Sequence, residues 1–298
     1  MRMTVDRALA EYETARPRLP AAGAPGACRP AAHLGELAGD YDVFLLDAFG
    51  VLNIGEDAIP GVAARLAALR AQGKRLLVLT NAASVPVAAL VTKYARLGFD
   101  FAPAEVISSR AVLLHHLRGQ PPRRWGVMGA PSGDDLAGLD TVWLDDDPGP
   151  YDAAEGFLLL GSAPWSEARQ TLLEAALRRR PRPVLVGNPD IVAPRADGFS
   201  IEPGHFAHRL ADIGGVELRF FGKPFADIYD HAFGRLGPGT DRSRVLMVGD
   251  SLHTDILGAQ AAGIGSALVA GYGFLAGRPA REAMDRTGIY PDWVLDRP

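Results

Sequence analysis

The sequence predicts an α/β protein in which a parallel β-sheet is covered by helices and is interrupted by a second, smaller α/β unit. Three observations support this fold class. Short apolar runs alternate with helical patterns early in the chain, the same alternation returns near its end, and the middle has strand and helix signals of its own. A repeated order of strand and helix favours parallel strands joined by crossover helices on both faces.

The first unit starts with an apolar run, VFLL at 43–46, that predicts a buried strand. The segment 60–73 predicts a helix, because proline stands at its start and glycine just past its end. The early pattern continues with a strand at 75–80, a helix at 86–98 and a strand at 105–109. The late pattern predicts strands at 216–222, 244–250 and 266–270. We expect all of these strands in one parallel sheet.

The middle of the chain predicts an inserted unit of about 80 residues. GQPPRRWG at 119–126 has the composition of a linker, and the strands WGVMG, GFLLLG and RPVLVG follow it around a helix near 166–180. We therefore expect three parts. They are an N-terminal helix and linker at 1–32, a core domain formed by 33–118 and 201–298, and an inserted domain at 119–200.

Composition and charge narrow the class of function. The 298 residues carry a net charge of −4, which gives no reason to expect nucleic acid or an anionic membrane as a partner. No apolar run approaches the ~18 residues that a membrane-spanning helix needs. Cys28 is the only cysteine, so no disulfide forms within the chain. We expect a cytoplasmic protein.

Polar side chains follow the predicted strands of the first unit, and ligands bind beyond the carboxyl ends of such strands. The residues at these ends are Asp47, Thr80, Asn81, Lys223, Asp250 and Asp255. Each alone has an ordinary structural explanation; Asp255, for example, is also suited to capping the helix that follows it. The combination, in this order and always at a strand end, indicates a functional site.

Phosphoryl transfer to a carboxylate uses this set of groups. Asp47 is suited to attack phosphorus. Asp47 and Asp250 supply the oxygen ligands that Mg²⁺ prefers. Thr80 and Asn81 offer hydrogen bonds to phosphoryl oxygens, and Lys223 adds a fixed positive charge against both phosphate and nucleophile. We expect Mg²⁺ as cofactor and a small phosphorylated molecule as substrate.

The four stretches resemble the motifs of the haloacid dehalogenase-like (HAD) superfamily, class IIA, a branch of capped phosphatases. They are DAFGVL, LLVLTNAAS, FGKP and VGDSLHTDI, and the insertion has the position and size of the class IIA cap. The resemblance implies a Rossmann-like core, Asp47 as nucleophile and an aspartyl-phosphate intermediate. It implies metal ligation by Asp47, the carbonyl of Phe49 and Asp250, with Asp255 in support. Class IIA proteins often dimerise through the cap, so a homodimer is an open expectation.

The cap selects the organic part of the substrate in such phosphatases. VGNPD at 186–190 also resembles that branch, and it makes Asn188 a candidate for substrate binding. Asp190 and Arg195 are further candidate contacts near the hinge between cap and core.

Phe49 departs from the family pattern, in which a second Asp at this position protonates the leaving oxygen and activates water. A phenyl ring does neither, and general acid–base catalysis is worth ~10²–10⁴-fold. We therefore expect a live but impaired phosphatase that favours aryl or acyl phosphates. His205, His208 and His253 are candidates for a replacement proton carrier.

Two other classes of function stay open. DAFGVL also resembles the nucleophile motif of 2-haloacid dehalogenases, which need neither the acid nor a metal; the retained Asp250 and Asp255 weigh against them. A non-catalytic protein that binds a phosphorylated metabolite is the other alternative. Phosphonate cleavage uses a cap lysine, and the region 119–200 has none.

Overall fold

The computed structural model describes residues 3–195 and 198–298, and its strands and helices alternate along the chain as the sequence predicts. The strands are β1 (Arg29–Ala31), β2 (Val43–Leu46), β3 (Asn53–Ile54), β4 (Asp57–Ala58), β5 (Arg75–Thr80), β6 (Val106–Ser108), β7 (Trp125–Met128), β8 (Thr141–Trp143), β9 (Gly156–Leu159), β10 (Val184–Val186), β11 (Val192–Arg195), β12 (Gly198–Ile201), β13 (Leu218–Phe220), β14 (Val245–Gly249), β15 (Gly265–Val269) and β16 (Trp293–Leu295). The helices are α1 (Val5–Ala15), α2 (Val62–Ala71), α3 (Val87–Arg96), α4 (Ser109–Leu117), α5 (Gly149–Ala153), α6 (Glu167–Arg179), α7 (Pro203–Leu210), α8 (Ala226–Leu236), α9 (Leu257–Ala262) and α10 (Ala280–Thr287).

The larger sheet has seven parallel strands in the order β1-β16-β15-β14-β2-β5-β6. Successive side chains of a strand point to opposite sides of the sheet, and in the central strands both sets are buried. Phe44 and Leu46 of β2 pack into one apolar cluster, whereas Val43 and Leu45 pack into another on the opposite face. The predicted parallel sheet with helices on both faces is confirmed.

The smaller sheet has five parallel strands in the order β13-β10-β9-β7-β8. The sequence placed the strand at 216–222 in the larger sheet, and this was wrong: β13 pairs with β10 of the smaller one. The predicted end of the inserted domain at residue 200 therefore leaves β13 outside the unit whose sheet it joins. The reason is local, since Phe220 packs into the same apolar cluster as Phe206 of α7 and Phe157 of β9.

The N-terminal segment packs against the core at α1 and β1. The helix α1 matches the predicted short helix, and Ala8, Leu9 and Tyr12 are buried on it. The predicted linker extended to residue 32, but β1 pairs with β16 and forms one edge of the larger sheet. Among the described residues, no helix combines the length and the apolar composition that crossing a bilayer requires.

Candidate active site

The site lies at the carboxyl ends of β2, β5 and β14, where three charged side chains meet. Lys223 Nζ lies 2.7 Å from Asp47 Oδ1 and 2.6 Å from Asp255 Oδ1. The lysine side chain is 2% exposed, so it has left water almost completely. Burial lowers the pKa of this ammonium, but Asp255 and Asp47 outweigh burial and hold it above its usual value. Lys223 is therefore a fixed cation against the expected nucleophile.

A third carboxylate makes the site suitable for a metal ion. Single oxygens of Asp47, Asp250 and Asp255 lie within 4.8 Å of one another. Burial, followed by the charges of Asp47 and Asp255, raises the pKa of Asp250 well above its usual value. Burial also raises the pKa of Asp255 to about 7, against the opposing Lys223. Carboxylates this close repel one another, so the set fits a hard divalent cation such as Mg²⁺.

The loops around Asp250 are shaped to hold its carboxylate. Asp250 Oδ2 accepts a hydrogen bond of 2.8 Å from the backbone N–H of Phe274. Gly273, the preceding residue, has φ +71°, and a Cβ there would lie 1.8 Å from Asp250 Oδ2. A side chain at residue 273 is thus excluded by both conformation and space. Asp255 is placed by a π-helical turn, and its Oδ2 accepts from the backbone N–H of Ser251 at 3.1 Å.

Asn81 does not offer its side chain to a phosphoryl group as the sequence suggested. Its Nδ2 donates to Asp190 Oδ1 at 2.7 Å and to the carbonyl oxygen of Lys223 at 2.9 Å. Its Oδ1 accepts from the backbone N–H of Lys223 at 2.7 Å. The amide is fully used within the protein, because both of its N–H groups have partners. Asn81 thereby fixes the backbone of Lys223 and ties it to the segment that returns from the smaller sheet.

A cavity of about 360 Å³ opens over these groups. It is lined by Asp47, Phe49, Thr80, Lys223 and Asp250, together with residues of the smaller unit and the hinge. The predicted contacts on that side, Asn188, Asp190 and Arg195, also line it. The Asn188 side chain is used within the protein, since it donates to Glu202 Oε2 at 3.2 Å and accepts from the backbone N–H of Asp190 at 2.9 Å.

The three histidines considered as proton carriers lie away from the described lining of this cavity. His253 is buried and contacts Glu13 Oε1 of α1 at 2.6 Å, and His205 contacts Glu11 Oε2 at 2.6 Å. His208 stacks on Phe220, and burial lowers its pKa to about 4. None of them is placed to exchange a proton with a ligand in the cavity.

Tyr12 of α1 also lines the cavity, and this was not predicted from the sequence. Its ring stacks on His253 with centroids 4.8 Å apart, and its hydroxyl accepts from the backbone N–H of Ile191 at 3.1 Å. Burial raises the pKa of Tyr12, so this hydroxyl is neutral. The sequence predicted a helix here; that its buried face meets the site depends on long-range packing that no local motif encodes.

Comparison with known proteins agrees with this fold. A family model described as haloacid dehalogenase-like hydrolase matches residues 44–137, and one described as HAD-hydrolase-like matches residues 220–297. Glycerol-3-phosphate phosphatase from Gallus gallus is 31% identical over 294 residues, covering 86% of this chain and 89% of the relative. The chain belongs to the haloacid dehalogenase-like hydrolases, and its four motifs and inserted sheet place it in class IIA.

Solved structures show the same architecture. A possible sugar phosphatase from Cytophaga hutchinsonii has a TM-score of 0.75 and 25% identity, and the match covers 90% of this chain and 98% of the other. Glycerol phosphate phosphatase from Mycobacterium tuberculosis, solved in complex with magnesium, has a TM-score of 0.67 and 25% identity, over 87% of this chain and 75% of the other. The predicted fold class, a HAD core with an inserted cap, is confirmed.

Proposed function

We propose that this protein is a Mg²⁺-dependent phosphatase that hydrolyses small phosphate monoesters through an aspartyl-phosphate on Asp47. The observation that carries the proposal is the group formed by Asp47, Lys223, Asp250 and Asp255 at one edge of the parallel sheet. The relatives support the same class of substrate, since they include phosphatases named for glycerol phosphate and sugar phosphate.

Asp47 is positioned as the nucleophile. Its Oδ1 receives hydrogen bonds from Lys223 Nζ and, at 2.8 Å, from the backbone N–H of Ala48. Among the described residues none donates to Oδ2, so this oxygen has a lone pair free to attack phosphorus. The new Oδ2–P bond forms as the bond from phosphorus to the leaving oxygen breaks, and water later cleaves the acyl phosphate.

The other groups neutralise charge and orient the ester. Asp47, Asp250, Asp255 and the Phe49 carbonyl would hold Mg²⁺, which offsets phosphate charge when bound. Thr80 lies at the end of β5 and lines the cavity, where a hydroxyl is suited to donate to a phosphoryl oxygen. Asn188 and Arg195 lie on the cap side, where the organic part of the ester would contact the protein.

The test measures phosphate release from a panel of aryl, glycerol and sugar phosphates, with Mg²⁺ and after chelation. Asp47→Asn should abolish turnover. Asp42→Asn is a matched control at the opposite end of β2, because Asp42 is exposed and pairs with Lys74 and Arg244. Loss of activity only in the Asp47 variant supports the proposal. Wild-type protein that binds phosphate esters but releases no phosphate would contradict it, as would halide release from 2-haloacids without metal.

A further inference from the structure

The cavity contains a carboxyl group that neither nucleophilic attack nor metal binding uses. Among the described residues that line it, the acidic side chains are Asp47, Glu56, Asp190, Glu202 and Asp250. Asp47 and Asp250 belong to the machinery above. The remaining three differ in whether a cation accompanies them, and this difference decides which of them can carry a proton.

Glu56 and Glu202 are paired with cations. Glu56 Oε1 lies 2.9 Å from Lys93 Nζ, and its side chain is 74% exposed. Glu202 Oε1 lies 3.0 Å from an Arg195 guanidinium nitrogen, and its Oε2 accepts from Asn188. Both carboxylates therefore serve as ion-pair partners, of Lys93 and of Arg195.

Asp190 is in the opposite situation. Within the described chain it forms no ion pair, and its one side-chain partner is the neutral amide of Asn81, 2.7 Å from Oδ1. Its surface is accessible only in part, on the side that lines the cavity. Burial raises the pKa of Asp190 to about 8, and the negative charges of Asp47 and Glu202 raise it in the same direction. The charge of Lys223 and the hydrogen bond from Asn81 lower it, but by less. The carboxyl is protonated at neutral pH.

Asp190 is also held in place from two sides. Asn81 connects its carboxyl to the backbone of Lys223, and Asn188 Oδ1 accepts the Asp190 backbone N–H at 2.9 Å. The next residue, Ile191, donates its backbone N–H to the Tyr12 hydroxyl. The acid is therefore fixed in the wall of the cavity at the point where the chain returns from the cap.

We propose that Asp190 carries the proton of the reaction, in the role that Phe49 cannot fill. The inference rests on the proposed function. In the first step the Asp190 proton passes to the leaving alcohol oxygen while the Asp47–phosphorus bond forms. In the second step the Asp190 carboxylate takes a proton from water, whose oxygen bonds to phosphorus as the bond to Asp47 breaks. Inorganic phosphate leaves and Asp190 is protonated again.

The test compares an alkyl ester, glycerol 3-phosphate, with an aryl ester, p-nitrophenyl phosphate, in wild type and Asp190→Asn. Asparagine keeps an oxygen to accept from Asn81, so the hinge contact survives. Turnover of the alkyl ester should fall by ~10²–10⁴-fold. The aryl ester should give a burst of p-nitrophenol near one equivalent, followed by slow turnover, because phenolate leaves without a proton whereas hydrolysis of the acyl phosphate needs the base.

The double variant Phe49→Asp/Asp190→Asn should recover alkyl turnover, because the new carboxyl group takes over the proton transfer. Equal loss on both esters without a burst would overturn the inference, and so would a ~10²–10⁴-fold gain in alkyl turnover from Phe49→Asp in a background that keeps Asp190. Asp42→Asn serves again as the matched control.

The wild-type pH profile provides a measurement that does not depend on a variant folding. Alkyl turnover should fall as pH rises through about 8, where Asp190 loses its proton, while release of p-nitrophenol from the aryl ester should not fall with it, because phenolate leaves without a proton. A profile for the alkyl ester that stays flat to pH 9.5 would exclude Asp190. Absence of phosphate release from either ester in wild type would instead reject the proposed function itself, and the inference with it.

Discussion

Replacing Lys223 by methionine removes the one cation between Asp47 and Asp255 and keeps most of the side-chain volume. Both ionic contacts are short, 2.7 and 2.6 Å, and the Asp255 side chain has no exposed surface. The variant therefore leaves a buried carboxylate without its partner. Breaking a buried ion pair from one side costs about 3–5 kcal/mol, because the remaining charge is no longer compensated.

A loss of this size is large against the 5–15 kcal/mol that typical proteins have. With a slope of about 2–4 °C per kcal/mol for larger domains, the melting temperature should fall by roughly 6–20 °C. Lys74→Met is the matched control. Its partner Asp42 is 56% exposed at 3.1 Å, and exposed pairs are worth at most about 1 kcal/mol.

The dependence on pH identifies the cause. Without the ammonium, the pKa of Asp255 rises further above its value of about 7, and in the unfolded chain it returns to an ordinary value near 4. The loss of stability in Lys223→Met is therefore greatest at pH values where the buried Asp255 carboxylate must ionise. It becomes smaller as the pH falls and Asp255 becomes protonated. Thermal unfolding in EDTA at pH 8 and pH 5 should show a larger deficit at pH 8. An equal deficit at both pH values, or a Lys223→Met variant as stable as Lys74→Met, would refute the reasoning.

Three further predictions concern the metal and the N-terminal helix. Because Asp250 and Asp255 have raised pKa values, Mg²⁺ must displace protons when it binds. Calorimetry in buffers of different ionisation heat should show this proton release. The affinity for Mg²⁺ should fall by up to about tenfold per pH unit below 7 for each proton displaced. Gly273→Ala should weaken Mg²⁺ binding by about 10–100-fold, because the new Cβ would displace Asp250. Gly277→Ala is the control: at φ +74° it has the same backbone strain, but its Cβ would meet open space, so the affinity for Mg²⁺ should not change. Tyr12→Phe should cost about 1 kcal/mol of stability and Tyr12→Ala about 3–5 kcal/mol, as measured by denaturant unfolding.

The strand-end residues of the site could be predicted from sequence because parallel strands align their carboxyl ends. Asp47, Thr80 and Asp250 each follow an apolar run that forms a strand of the larger sheet. Lys223 was also identified, although its strand belongs to the other sheet. An apolar run of three or four residues specifies burial but not which sheet it joins, and that choice depends on partners far away in the chain.

The direction of side chains was harder to predict than their position. Asn81 stands at the expected place, yet its amide is satisfied by Lys223 and Asp190. Likewise, His253 lies within a motif of the site but points towards Glu13. A motif fixes where the backbone goes, whereas the partner that a polar group finds depends on which other segment arrives beside it.

The packing of α1 and β1 has a consequence for any attempt to shorten this protein. The family models begin at residue 44, and a trimmed version starting there would lack both elements. It would expose apolar side chains that pack with α1 beside the expected metal ligands, among them Leu252 and Phe274. It would also leave β16 as an unprotected sheet edge, a template for pairing with other molecules. The ends of a stable shortened enzyme must therefore be chosen by which segments bury apolar surface, and not by where the sequence similarity begins.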